Sequence, residues 1–214
     1  MPWLMASVYD RVMAGTEASC LRGWRAELLA GLAGRVLEIG PGTGASLPMY
    51  PAAVTELILA EPDPHMRGRL AARLAEDPQG RQGGQVQLIQ LIGDAVEQLG
   101  LEDASVDAVV TSLVLCSVRS PEAALAELRR VLRPGGELVF LEHVAAWDNP
   151  GRLRWQQRVE PVWKHVAGGC HLTRDTEATI RAAGFEVVAI ERDSMRKTFP
   201  LVRPSIRGRA RKSG

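Results

Sequence analysis

Residues 36–45 read Val36-Leu37-Glu38-Ile39-Gly40-Pro41-Gly42-Thr43-Gly44-Ala45. The apolar run predicts a buried strand. Gly40, Gly42 and Gly44 then let the chain turn tightly and let a ligand approach backbone that no Cβ shields. A second apolar run, 56–60, ends at Glu61, 17 residues beyond Gly44, where a carboxylate can take both hydroxyls of a ribose. The competing reading of Glu61 is a solvated acid at a strand end. Strand, glycine turn and distant acid together describe a nucleoside-cofactor site.

Outward from this stretch, apolar runs alternate with helical spacing, the pattern of a parallel sheet wrapped by helices. Strands are predicted at 35–39, 56–60, 86–92, 106–111, 137–142 and 184–190, and helices at 20–32, 64–75, 121–132 and 173–183. Ser120-Pro121 supplies an N-cap followed by proline at the first helical position, and Arg133-Pro134-Gly135-Gly136 supplies a stop and turn. Residues 147–172 break the rhythm and hold three of the five tryptophans, Trp147, Trp155 and Trp163. Extra length after a fifth strand usually serves a substrate. Near the C-terminus, Ile206, Gly208 and Ala210 alternate with Arg207, Arg209 and Arg211. This period of two favours a final strand with an arginine face over a disordered basic tail.

Bulk composition narrows the function. A chain of 214 residues suits one domain, with 1–33 as N-terminal cap helices and 147–172 as a substrate-side insertion. Hydrophobic content of 46% and charged content of 24% are ordinary for a globular protein, and a net charge of +1 gives no field for nucleic acid. Cys20, Cys116 and Cys170 are far apart and form no CxxC pair, which fits a reduced compartment. No apolar run approaches the ~18 residues of a spanning helix, and no secretory signal is present. The expectation is a cytoplasmic enzyme without a transmembrane anchor.

The glycine loop alone leaves the cofactor open, because with Ala45 it also satisfies the dinucleotide pattern G-x-G-x-x-G/A. The surroundings favour S-adenosylmethionine over NAD. Glu38, before the first glycine, suits a cationic amino acid moiety and would sit poorly beside a pyrophosphate. Pro41 removes a backbone N–H that a pyrophosphate would use. Asp94, in Gly93-Asp94-Ala95 after the third strand, can accept from an adenine amino group.

The run Glu38 to Gly44, Glu61, Asp94 and Leu132-Arg-Pro-Gly-Gly-Glu-Leu138 resembles class I S-adenosylmethionine-dependent methyltransferases. Further motifs are Leu113-Val-Leu-Cys-Ser-Val118, Glu142-His-Val-Ala145, Trp155-Gln-Gln157, Glu160-Pro161, Trp163-Lys-His165 and Gly169-Cys-His-Leu-Thr-Arg174. These resemble the thiol S-methyltransferases of the methyltransferase-like 7 group, over roughly residues 34–192. The resemblance implies an α/β, Rossmann-like fold with a seven-stranded, mostly parallel sheet flanked by helices, its last strand antiparallel. It implies that Glu38, Gly40, Gly42 and the backbone near Ser112 and Leu113 hold the methionine part of the cofactor. Glu61 would hold the ribose, Asp94 and Ala95 the adenine, and Pro62 and Met66 would flank the ring. Tyr9-Asp10 look like residues that close over the cofactor in related enzymes; they read equally as a helix start with a packed tyrosine. Animal members of the group begin with a hydrophobic membrane anchor, whereas this chain begins almost directly with the domain.

Methyl transfer to a thiol is an in-line displacement that needs positioning and a dry pocket more than a strong base. A cysteine-like thiol, of pKa about 8.5, already supplies thiolate at neutral pH. His143, at the end of the fifth strand, and His165, in the insertion, are the candidates for deprotonating or orienting an acceptor. Cys116, Trp155, Trp163 and His171 are the candidate pocket residues. Each also reads as ordinary packing, Cys116 as a small buried hydrophobe. Cys170-His171 with His165 matches no usual zinc spacing, so no metal is expected. The expected partner is a small-molecule methyl acceptor, preferably a thiol. A quinone or phenol oxygen, a phospholipid amine, and a non-catalytic cofactor-binding role are the alternatives.

Overall fold

The computed structural model describes residues 11–76 and 86–213. Seven strands form one sheet: β1 Gly34–Ile39, β2 Val54–Ala60, β3 Leu88–Ile92, β4 Val106–Ser112, β5 Leu132–His143, β6 Phe185–Ser194 and β7 Pro204–Lys212. Their order is β3-β2-β1-β4-β5-β7-β6. β1 to β5 pair in parallel, and β7 runs antiparallel to both β5 and β6. Five α-helices lying wholly among the described residues pack around the sheet: α1 Arg22–Leu29, α2 Pro64–Glu76, α3 Pro121–Val131, α4 Pro150–Val166 and α5 Thr176–Ala182. A π-helical turn, Glu17–Leu21, leads into α1.

Strand alternation divides the core into two layers. Leu37, Ile58, Val109, Leu138 and Phe140 face one layer, where Leu125 and Leu128 of α3 and Ile180 of α5 cover them. Val36, Leu57, Leu59, Val110 and Val139 face the other, against Leu29 of α1 and Leu70 of α2. A sheet covered on both sides needs apolar residues at consecutive positions. That is why β1 and β2 end in four buried residues each.

Several sequence boundaries move. β5 begins at Leu132 rather than 137, because Leu132 pairs with Val106 before an irregularity in the register. Residues 147–172 contain a regular helix, α4, whose N-cap Asn149 accepts from Arg152 N. A buried amide ties α4 to the sheet: Gln156 accepts from Ala146 N and donates to the carbonyls of Val144 and Leu201. The arginine strand exists as β7. Arg207 lies 4.6 Å over the Trp24 ring and pairs with Glu191 and Asp193, and Arg209 pairs with Glu137. Those charges hold α1 and β6 to the sheet.

The strand order reverses between β1 and β4, with β2 and β3 laid down on one side and β4 and β5 on the other. Ligands bind open α/β sheets at the carboxyl ends of the strands beside such a point. The glycine loop leaves β1 there.

Candidate active site

The glycine loop is fixed by backbone and by one acid. Gly40 N donates to Ala60 O (2.9 Å) and Gly44 N to Pro41 O (2.9 Å). Gly42 N donates to Glu61 Oε2 (2.9 Å), and Asp63 N donates to Glu61 Oε1 (3.0 Å). Gly40 has φ +59°, and a Cβ there would lie 2.7 Å from Val114 Cγ2. Gly42 has the same φ, but the space before it is open. Glycine at 40 therefore allows close packing onto the loop after β4, and at 42 it leaves bare backbone facing outward.

Two acids flank this surface at the ends of β1 and β2. Burial raises the pKa of Glu38, while Ser46 and Tyr50 draw it back down; Tyr50 donates its hydroxyl to Glu38 Oε2 at 3.0 Å. Burial likewise raises Glu61, against the N–H groups of Asp63 and Gly42. Arg25 lies close enough to favour an ionised Glu38, but it is held by Glu17 (2.6 Å) and Ser112 Oγ (2.9 Å). Among the described residues neither acid is in a salt bridge, and buried acids of this kind suit hydroxyl and ammonium donors. Together with the bare glycine surface they fit the ribose and amino acid parts of S-adenosylmethionine. Arg25, Ser46 and Tyr50 were not singled out by the sequence; no local spacing links them to Glu38.

The other residues expected to border the cofactor are dispersed in sequence. Met66 is buried at the start of α2, with its N–H on Asp63 Oδ1, while Pro62 is exposed. Asp94 accepts from Gly100 N (2.9 Å), and Ala95 beside it is exposed. Leu113 holds φ +61° and donates its N–H to Leu141 O (2.7 Å), which turns the chain sharply after Ser112. Tyr9 lies outside the described residues.

That turn begins the other half of the site. Glu142, fully buried in β5, accepts from Val114 N (3.3 Å). Burial pushes its carboxyl up to about 7 against the N–H groups of residues 114–116. Arg174 donates to the carbonyls of Leu115 (2.5 Å) and Val118 (2.7 Å). His171 N donates to Cys116 O (2.8 Å). After α4, Gly168 and Gly169 take positive φ, and a Cβ on Gly169 would press on Ser117 O at 3.1 Å. The chain therefore reverses tightly and lays Cys170 against Cys116.

The outcome is a cluster of Cys116, His143 and Cys170, whose Sγ and ring nitrogen atoms lie within 4.8 Å of one another. Cys170 Sγ is 3.7 Å from His143 Nδ1. Contacts with Cys116 and His143 hold the Cys170 thiol below the usual thiol range, and the same contact with Cys170, with burial, pushes Cys116 above it.

The insertion residues divide differently from the expectation. His171 Nδ1 is engaged by Glu160 Oε1 (2.9 Å), which joins α4 to the following loop. Trp163 stacks on Phe199 at 5.6 Å. Trp155 is 58% exposed beneath Arg158, and His165 is exposed on the same helix. Neither is brought to the cluster, because only Gln156 of α4 is buried and the helix presents its other faces outward. The metal question changes as well. It was posed for Cys170, His171 and His165, whereas the fold gathers Cys170 with Cys116 and His143.

A doubly wound sheet with β7 antiparallel, and an acid-flanked glycine loop at the switch point, define a class I S-adenosylmethionine-dependent methyltransferase. A family profile described as a methyltransferase domain matches residues 37–140. The chain is 41% identical over 184 residues to human thiol S-methyltransferase TMT1B, covering 85% of this chain and 73% of that one. It is 37% identical over 205 residues to human thiol S-methyltransferase TMT1A, covering 95% and 81%. Among solved structures, a SAM-dependent methyltransferase from Thermotoga maritima superposes with a TM-score of 0.66 at 20% identity, covering 99% of this chain and 98% of that one. The chain belongs to the thiol S-methyltransferase family within that class.

Proposed function

We propose that this protein transfers the methyl group of S-adenosylmethionine to a small thiol. The observation that carries the reading is the 41% identity to human thiol S-methyltransferase TMT1B across 85% of the chain. Bound over the glycine loop, S-adenosylmethionine supplies a sulfonium-activated methyl group. Glu38 would meet its ammonium and Glu61 its ribose, while Gly40, Gly42 and Gly44 give the backbone room. The backbone at Ser112 and Leu113 would border the methionine part. Asp94 and Ala95 would border the adenine, between Pro62 and Met66.

The acceptor would approach from the side of Cys116, His143 and Cys170. Those residues follow β4, end β5 and follow α4, at the carboxyl edge next to the glycine loop. His143 would orient the incoming thiol or take its proton. A thiolate presented there would be placed to take the activated methyl group, with the electron pair of the broken carbon–sulfur bond staying on the departing thioether. Opposite charges vanish in this step, so a buried site favours it. Trp163, packed on Phe199, would help keep water away. The chain would work as a single domain with 147–172 as its acceptor-side segment. Among the described residues no helix is long and apolar enough to cross a membrane. The free state of Cys20, Cys116 and Cys170 suits a reducing, cytoplasmic setting.

The test is incubation with methyl-labelled S-adenosylmethionine and a matched panel of alkyl thiols, phenols and amines, with hydrogen sulfide included. Label is expected on sulfur. Label on oxygen or nitrogen alone, or cofactor binding with no transfer to any acceptor, overturns the thiol reading.

A further inference from the structure

Cys116, His143 and Cys170 form a set of soft donors in a buried setting: Cys116 is 3% exposed and His143 2%. Their ligating atoms all lie within 4.8 Å of one another, with 3.7 Å between Cys170 Sγ and His143 Nδ1. A tetrahedral zinc ion, with Zn–S of about 2.3 Å and Zn–N of about 2.0–2.1 Å, sets its ligand atoms roughly 3.5–3.8 Å apart. The cluster is therefore within about 1 Å of that geometry. We infer that Cys116, His143 and Cys170 bind a thiophilic divalent cation, zinc by preference, whose fourth position takes the acceptor as its thiolate. This rests on the thiol-methyltransferase reading above and names how its acceptor is held.

Two further features bear on how these residues are held. His143 Nε2 is buried without a hydrogen-bond partner among the described residues. Nδ1 is the ring nitrogen that faces Cys170 and would be the ligand, with the proton then carried on Nε2. The surrounding framework also fixes two of the three loops independently of any ion. Arg174 pins the turn carrying Cys116 through two carbonyls, and the His171 N–H ties the segment carrying Cys170 to Cys116 O. Three protein ligands leave one position open, which is the arrangement of catalytic rather than structural zinc. Thiolate and imidazole donors select zinc over magnesium or calcium. Cys170 is only partly buried, which makes it the most exposed of the three ligands.

The chemistry balances without another reagent. A thiol R–SH coordinates through sulfur, its S–H bond breaks, and the proton leaves to solvent. The coordinated thiolate attacks the methyl carbon, forming R–S–CH3 while the carbon–sulfonium bond breaks. The neutral thioether product is a poor ligand and departs. His143 then serves as a ligand in place of a base.

The experiment begins with purified full-length protein, reduced and stripped by a chelator. Zn2+ is titrated against a chromophoric competitor, and Co2+ is followed by its visible and thiolate charge-transfer absorption. The inference expects one equivalent of zinc per chain and a tetrahedral cobalt spectrum that shifts when a small alkyl thiol is added. Cys116→Ser, Cys170→Ser and His143→Gln should each weaken zinc binding at least tenfold while circular dichroism stays that of the wild type. Cys20→Ser should leave it unchanged. Wild-type protein that binds less than a tenth of an equivalent overturns the inference, as does equal binding by Cys116→Ser and Cys170→Ser. A Cys116–Cys170 disulfide in the freshly isolated protein, found by mass spectrometry without reduction, also overturns it. Thiol methylation by metal-free protein overturns the metal's role and leaves the thiol reading standing. Zinc binding without thiol methylation does the reverse for that reading, and a cobalt spectrum unmoved by thiol then removes the acceptor's place on the metal.

Discussion

The two halves of the site occupy one edge of the sheet but are assembled differently. Gly40, Gly42 and Gly44 lie within one turn of chain, and Glu61 clamps that turn through Gly42 N. Cys116, His143 and Cys170 come from three loops, joined only through long-range contacts such as His171 N to Cys116 O. The proposed cofactor half is thus a local motif with one distant clamp. The proposed acceptor half is assembled only once β4, β5 and α4 have docked. Damage to the first should appear in cofactor affinity, and damage to the second in turnover.

The largest separation is expected from Glu61→Ala. It removes a charged acceptor of the Gly42 and Asp63 N–H groups and the proposed ribose ligand together. A loss of ~1.5–3 kcal/mol corresponds to roughly 10–150-fold weaker cofactor binding. Isothermal titration checks it, and unchanged affinity would place the ribose elsewhere. His143→Ala is the mirror experiment: kcat towards a thiol should fall roughly 10–100-fold, with cofactor affinity moved less than about twofold. Full activity in that variant would make His143 structural.

The pH response separates the halves more gently. Burial raises the pKa of Glu38 and of Glu61 above the values of the unfolded chain. Each therefore contributes stability that is fully present below its unfolded pKa and lost as pH rises through the folded one. Cofactor binding needs the ionised forms and has the opposite sign. The thermal stabilisation conferred by S-adenosylmethionine should grow as pH rises from about 4.5 through the raised values of these two acids, while the ligand-free protein loses this part of its stability and, around pH 7, the part that buried Glu142 contributes with the same sign. Differential scanning fluorimetry over that range tests the pair of slopes. In Glu61→Gln the growth should diminish. The smallest effects belong to Trp155→Ala and His165→Ala. Both residues are exposed on α4, so cofactor affinity and thiol turnover should each change less than about twofold. A larger fall in turnover would bring α4 into the acceptor site in the working enzyme.

The same asymmetry governs how much could be read in advance. β1, the glycine loop and Glu61 were legible because a parallel strand, its turn and the next strand end follow one another at short intervals. The arginine strand β7 was legible from its period of two, since Ile206, Gly208 and Ala210 turn inward while Arg207 and Arg209 find Glu191, Asp193 and Glu137. Tyr50 under Glu38 was not legible. It meets that carboxylate only because residues 46–50 fold back beneath β1, which no periodicity announces. The cysteine–histidine cluster was half legible. Cys116 and His143 stood out at strand ends, but Cys170 was grouped with its sequence neighbours His171 and His165. The Gly168-Gly169 reversal sends Cys170 inward, while Glu160 holds His171 aside. Regular spacing also failed for 147–172. Its helix buries a single glutamine, so it has no apolar stripe for a pattern to detect.

The division between the halves is tested most directly in the double variant Cys116→Ser/Cys170→Ser. Its S-adenosylmethionine affinity and its transfer of labelled methyl to a small alkyl thiol are measured on the same preparation. Cofactor affinity within about twofold of wild type, with thiol transfer reduced at least tenfold, is the predicted result. Wild-type transfer, or loss of cofactor binding in a variant that remains folded, would contradict it.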